Sequence, residues 1–456
     1  MSSLIEHNYP RFQDRVFKLR DHFGPVHVIP AQYVEALCNA PESVLSFQQL
    51  ARERFFARYT LLASRVNHPD NNTVIKSIQK SLSQHLGKAV AELHDELREA
   101  LRTDMSECTS WTPFTPTQML IPIIAKMSGR VFIGRRMGRR QEYLDCIINF
   151  TIDSMTAAEM LRLVPSFTHP LVQWLIPHTY RARSKLRTIR RLLYQEIITR
   201  SRERHHGSLY QDMLVWNIRN SPPARAADMT YQAHNQLLVS TAAIHTTNMQ
   251  LTHVLFDLAA HPEYVDPLRE EVDAVMRTEK EKEKDGRLGM LALSKLRKLD
   301  SFLKESQRMN PLGLLTFERK VMSNLTLPNG QTILKGSYIG VPTSAIAKDP
   351  AIFPDPEKFD GFRFERLRAE PGSEAKHQLV STGPDALYFG HGKHACPGRF
   401  LAAIEMKLIL IELISRYDFK MPHGETRPRN IELNSGVIPD PQKKILLRRR
   451  DAVTTV

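Results

Sequence analysis

Apolar side chains recur at three- and four-residue steps through residues 74–102, the spacing that lines one face of an α-helix. The same period predicts helices over 123–132, 143–161, 230–260, 266–276, 293–309 and 399–416. Strand and turn signals replace it over 312–342, where Pro328-Asn329-Gly330 marks a hairpin turn. The short run Val26-His27-Val28-Ile29 predicts a small β element near the start. Residues 348–366, rich in proline and aromatics, read as irregular. The fold class is therefore mainly α with a smaller β part.

Two segments break the pattern. Residues 161–177 are apolar and aromatic but cut by prolines (Leu163-Val164-Pro165, Trp174-Leu175-Ile176-Pro177), which suits either a packed loop between helices or a lid over a substrate entry. Residues 277–287 are almost wholly charged and read as a solvated loop or frayed helix end.

Composition narrows the partners. The 456-residue chain carries a net charge of +14, but its basic residues are spread along helix faces such as Arg181, Arg183, Lys185, Arg187, Arg190 and Arg191. No nucleic-acid-binding signature accompanies them, so nucleic acid is excluded as a partner. Four cysteines, Cys38, Cys108, Cys146 and Cys396, form no paired motif, which argues against structural zinc and a disulfide framework. Cys38, Cys108 and Cys146 read as small buried residues. No apolar run reaches the ~18 residues of a membrane span.

The chemistry concentrates at Phe389-Gly390-His391-Gly392-Lys393-His394-Ala395-Cys396-Pro397-Gly398. Glycines let the backbone turn tightly around the Cys396 sulfur, and the helix that follows favours negative charge on it. Phe389 can pack over the loop, Gly392 and Gly398 flank the sulfur, and His394 can reach a carboxylate of a bound group. This suits a thiolate that ligates haem iron. Upstream, Glu305 and Arg308 share one helix face. Arg363, inside Phe359-Asp360-Gly361-Phe362-Arg363-Phe364, can complete a Glu-Arg-Arg cluster.

The order of these motifs resembles the cytochrome P450 family of haem-thiolate monooxygenases, from about Phe47 through the last helix. The resemblance implies the cytochrome P450 fold as a single haem domain over 1–456. It also implies haem b held by Cys396, with a propionate near His394. It further implies O2, a lipophilic small-molecule substrate, and electrons from NADPH through a separate NADPH-cytochrome P450 reductase, since no flavin region follows the cysteine loop. An acidic reductase would suit the basic surface.

Within the long helix, Ala242, Ala243, Thr246 and Thr247 match the family's oxygen-side pattern of a small pair followed by threonines. A threonine hydroxyl bonded four residues back can bend the helix and leave room for water and proton transfer. His245 stands where the family usually carries an acid, and a histidine can relay protons near neutral pH. Arg319 occupies a segment that often supplies a propionate-binding arginine. The early Trp-x-x-x-Arg motif of many members does not occur in 74–102.

Ala-Ile-His-Thr-Thr resembles filamentous-fungal members that oxidise terpenoids, indole diterpenes and related secondary metabolites. Eukaryotic members usually begin with a membrane anchor. Its apparent absence here leads us to expect a cytosol-facing protein at the endoplasmic reticulum surface, with peripheral membrane contact. Two other readings of the resemblance stay open: a peroxide isomerase or dehydratase that needs no reductase, and a haem-binding relative without turnover.

Overall fold

The computed structural model describes residues 1–21, 24–63, 72–105, 108–202, 211–280 and 288–450. Among the described residues helices dominate, joined by four small sheets. Met229–Ala260 is the spine of the helical part. It starts where Asp228 caps the free N–H groups of Thr230 and Tyr231, both at 3.0 Å, and ends before Pro262, which cannot continue it. Around it pack Pro116–Ile133, Gln141–Arg162, Pro177–Leu192 and Arg297–Met309. Arg399–Arg416 is apolar on nearly every side and lies in the core, against both the spine and Ser83–Asp104.

Most predicted helices form within a few residues of their expected bounds. The first is interrupted: Thr73–Lys76 passes through a wide turn at Ser77–Leu82 before Ser83–Asp104. The second starts seven residues early and carries Pro122 inside it. Residues 293–309 split at Leu296, whose ψ of 76° leaves the helical region, into Met290–Lys295 and Arg297–Met309. Helix Val265–Lys280 runs into the charged stretch, of which residues 281–287 lie outside the described residues. Residues 348–366 are irregular until helix Arg363–Ala369 begins.

The largest sheet has five strands in the order Phe17–Asp21, Gly24–Val28, Tyr338–Val341, Thr316–Val321, Leu45–Ser46. Gly24–Val28 pairs parallel with Tyr338–Val341, with Val26 opposite Tyr338; the other pairs are antiparallel. The expected turn at Pro328-Asn329-Gly330 closes the hairpin Leu325–Thr326/Thr332–Ile333, with Gly330 at φ +82°. Thr316–Val321 carries a bulge between Thr316 and Arg319, with Phe317 at φ +51°. Beyond that bulge Arg319 shares the inward face with Phe317 and Val321.

Segment 161–177 is packed only in part: Leu161, His169 and Ile176 are buried. Leu163, Phe167, Leu171, Trp174 and Leu175 are exposed, three of them at 80% or more, around the short helix His169–Val172. Among the described residues, no helix is long and apolar enough to cross a membrane.

Candidate haem-thiolate site

The cysteine loop folds back on itself. The Cys396 N–H donates to the Phe389 carbonyl at 2.7 Å, and Ala395 N–H to Gly392 at 3.0 Å. Gly390 and Gly392 both take φ +68°, and a side chain at 392 would strike Cys38, whose Cβ and Sγ lie 2.6 and 2.7 Å from the Cβ position. Arg399, at the start of the next helix, bonds the Cys396 carbonyl at 2.9 Å and the Val380 carbonyl at 3.2 Å. Burial pushes the Cys396 thiol above its ordinary pKa; backbone N–H groups of Gly398 and Arg399 and the Arg399 charge pull the other way.

Glu305, Arg308 and Arg363 come together as expected. Arg308 grips Glu305 through Nε and Nη2, both at 2.8 Å; Arg363 Nε reaches both carboxylate oxygens at 3.2 Å. Glu305 also accepts the Asp360 N–H at 3.0 Å. The remaining donors do not go to the cysteine loop. Arg308 bonds the carbonyls of Ala347 and Pro356, and Arg363 those of Pro354, Asp355 and Lys358. The same helix reaches the loop through other residues. Asp300 accepts the Leu379 N–H and Lys304 bonds the Gln378 carbonyl, next to the Val380 that Arg399 holds.

On the spine, Ala242 and Thr246 are the only exposed residues between 231 and 260. One turn apart, they share a face. This opening sits on a helix most of whose side chains are buried. Thr246 Oγ1 donates to the Ala242 carbonyl at 2.7 Å, the expected bond four residues back. Thr247 is buried. The ring of His245 turns away: its Nε2–H donates to the Ile148 carbonyl on Gln141–Arg162 at 3.0 Å. Burial lowers the His245 pKa, so the imidazole stays neutral at physiological pH. This geometry makes His245 a tie between two helices and gives its proton-relay role no support.

Arg319 is buried, not a surface residue. Its guanidinium lies 4.7 Å over Phe317 and 5.4 Å over Phe47, and its Nη1 bonds the Glu318 carbonyl at 2.7 Å. Its charge acts on His394, whose Nδ1 is 3.6 Å from Glu42 and whose buried Nε2 has no partner among the described residues. Sequence reasoning missed Glu42, which carries no motif and is brought here only by the fold.

These residues fit a haem. A cysteine stands in a loop with amides turned toward its sulfur, Arg319 and an unpartnered imidazole nitrogen suit propionate oxygens, and a lone opening in the central helix lies between small and hydroxyl side chains.

The cytochrome P450 family profile matches residues 47–447. Cytochrome P450 monooxygenase prx8 of Penicillium rubens is 37% identical over 450 residues, covering 99% of this chain and 83% of that protein. The ent-kaurene oxidase P450-4 of Gibberella fujikuroi is 34% identical over 455 residues, covering 98% and 87%. Among solved structures, retinoic acid-bound cyanobacterial CYP120A1 superposes with a TM-score of 0.70 at 18% identity, over 97% of this chain and 93% of that one. The motifs, the helical fold and these relatives together place the chain in the cytochrome P450 family, as a haem-thiolate monooxygenase.

Proposed function

We propose that Cys396 is the axial haem ligand and that the protein oxidises a lipophilic secondary metabolite, terpenoid-like in skeleton. Its electrons would come from NADPH through a separate NADPH-cytochrome P450 reductase. The observation that carries this reading is the pairing of a half-buried cysteine, turned on amides, with the Ala242–Thr246 opening on the spine, which packs against the helix Arg399–Arg416 that follows the cysteine. Bound haem supplies the oxygen activation and the electron-rich thiolate push. Ala242 leaves room for oxygen and substrate. The Thr246 hydroxyl, held on the Ala242 carbonyl, keeps its oxygen free to accept from water and so orders the proton supply. Arg319 and His394 neutralise and orient propionates.

The terpenoid assignment is supported by the ent-kaurene oxidase among the relatives. The exposed apolar segment 163–175 supports a lid that rests on the endoplasmic reticulum surface. Basic helix Pro177–Leu192 follows it and would face anionic headgroups there.

The test is reconstitution with the reductase. The reduced, carbon-monoxide-bound protein should show the red-shifted Soret band of a thiolate haem, and Cys396→Ser should lose it. NADPH-dependent oxidation should follow with ent-kaurene or related terpenoids. A wild type that binds haem without that band would overturn the ligand assignment; turnover of polyketides alone would overturn the substrate class.

A further inference from the structure

On the outer side of the cysteine loop, three residues of unlike chemistry converge. Glu35 lies on the short helix Val34–Leu37 and Cys38 caps its end, while His391 belongs to the loop that carries Cys396. One ligand atom from each falls within 4.8 Å of the others. His391 Nε2 is 3.1 Å from Glu35 Oε1, and the Cys38 thiol donates to the Glu35 carbonyl at 3.4 Å. Glu35 is exposed, His391 half-buried and Cys38 buried beneath Gly392, so the set opens to solvent on one side.

We propose that Glu35, Cys38 and His391 form a zinc site that the haem does not use. A thiolate, an imidazole and a carboxylate are the ligand types that Zn²⁺ takes, with water completing a tetrahedron. Two further features suit a metal. His391 Nδ1 is 3.0 Å from Thr382 Oγ1, the outer hydrogen bond that fixes a ligating imidazole and leaves Nε2 for the ion. Glycine at 392, forced by the contact with Cys38, holds His391 beside the thiol. Binding releases the Cys38 thiol proton, shifts the His391 proton from Nε2 to Nδ1, where it donates to Thr382, and replaces the His391–Glu35 hydrogen bond with two metal bonds. The ion would clamp segment 35–38 to the loop five residues before Cys396. It would therefore slow haem loss without touching the iron.

The experiment uses the haem-loaded protein and zinc itself, and needs no turnover. Calorimetric titration, checked by elemental analysis after gel filtration, should find one zinc per haem. Cys38→Ser and His391→Ala should each weaken binding at least tenfold with the Soret band unchanged. Glu35→Gln, an exposed change that leaves the thiol and Gly392 contact in place, should also weaken it and guards against a folding defect in Cys38→Ser. Saturating zinc should lengthen the half-time of haem transfer to apomyoglobin several-fold in the wild type and not in Glu35→Gln. Wild-type binding no tighter than that of His391→Ala and Glu35→Gln would overturn the proposal. So would one zinc per haem that survives all three substitutions, which would put the ion elsewhere.

Discussion

Replacing Glu305 by glutamine keeps the volume of the side chain and removes its charge. In the wild type that carboxylate takes four N–H donors, from Arg308 Nε and Nη2, Arg363 Nε and the Asp360 backbone. Glu305 is fully buried and Arg308 nearly so. Glutamine would leave two guanidinium groups facing a neutral amide whose NH2 cannot accept, out of reach of water. A buried charge stripped of its partner costs about 3–5 kcal/mol. At about 1.4 kcal/mol per decade, the folding equilibrium should fall roughly a hundred- to several-thousand-fold. Against a typical total of about 5–15 kcal/mol this is a large share. Guanidinium denaturation, followed by far-UV circular dichroism and the Soret band together, should show a lower midpoint and poor haem loading. Glu425→Gln, which breaks the exposed Lys443–Glu425 pair at 3.4 Å, serves as the control and should cost at most about 1 kcal/mol. The triple change Glu305→Leu, Arg308→Met, Arg363→Met should be less damaging than Glu305→Gln alone, because it leaves no orphaned charge. A wild-type midpoint for Glu305→Gln would refute the reasoning. Full haem loading with a selective loss of turnover would instead move the cluster from architecture to chemistry.

Thr246→Ala should keep haem and substrate binding, since it removes only a hydroxyl and a methyl group, while product formed per NADPH consumed drops and hydrogen peroxide rises; unchanged coupling would remove Thr246 from proton delivery. His245→Ala should lower stability by about 1 kcal/mol through the lost bond to Ile148 and leave the pH profile of coupling as it was. Because burial depresses the His245 pKa, the unfolded chain takes up the proton first; wild-type stability should fall as pH drops below 6.5, and the urea midpoint of His245→Ala should fall less steeply there. Glu405 is buried with Ser128 as its hydrogen-bond partner at 2.8 Å, and burial raises its pKa from 4.5 to about 8. The folded state therefore holds a proton that the unfolded chain releases, so this group should erode stability as pH climbs from 4.5 to 8; Glu405→Gln should flatten that decline in midpoint-against-pH curves.

The helical frame was legible because a 3.6-residue period survives in sequence wherever one face is buried, and helix Arg399–Arg416 appears at its expected bounds. Glu305, Arg308 and Arg363 could be joined in advance because a carboxylate and two guanidiniums have few other ways to share a core. What they hold in place was not legible: their spare donors go to backbone carbonyls, which look alike in every sequence. The placement of His245 was not legible either. Its position in the motif suggested chemistry, while its rotamer is decided by the Ile148 carbonyl on a helix some hundred residues earlier. Glu42 escaped notice because it lies hundreds of residues from His394 and meets it only in the fold. Arg319 turned inward through a bulge that the strand's residues do not announce.

The Ala242–Thr246 opening on the spine has an evolutionary corollary. Most other side chains on Met229–Ala260 are buried, so a change there must be answered by compensating changes elsewhere. Ala242 faces the opening instead. A larger residue at 242 would work as a diaphragm, narrowing the chamber and altering which molecules enter. Selection for a new metabolite can thus proceed one substitution at a time at this aperture.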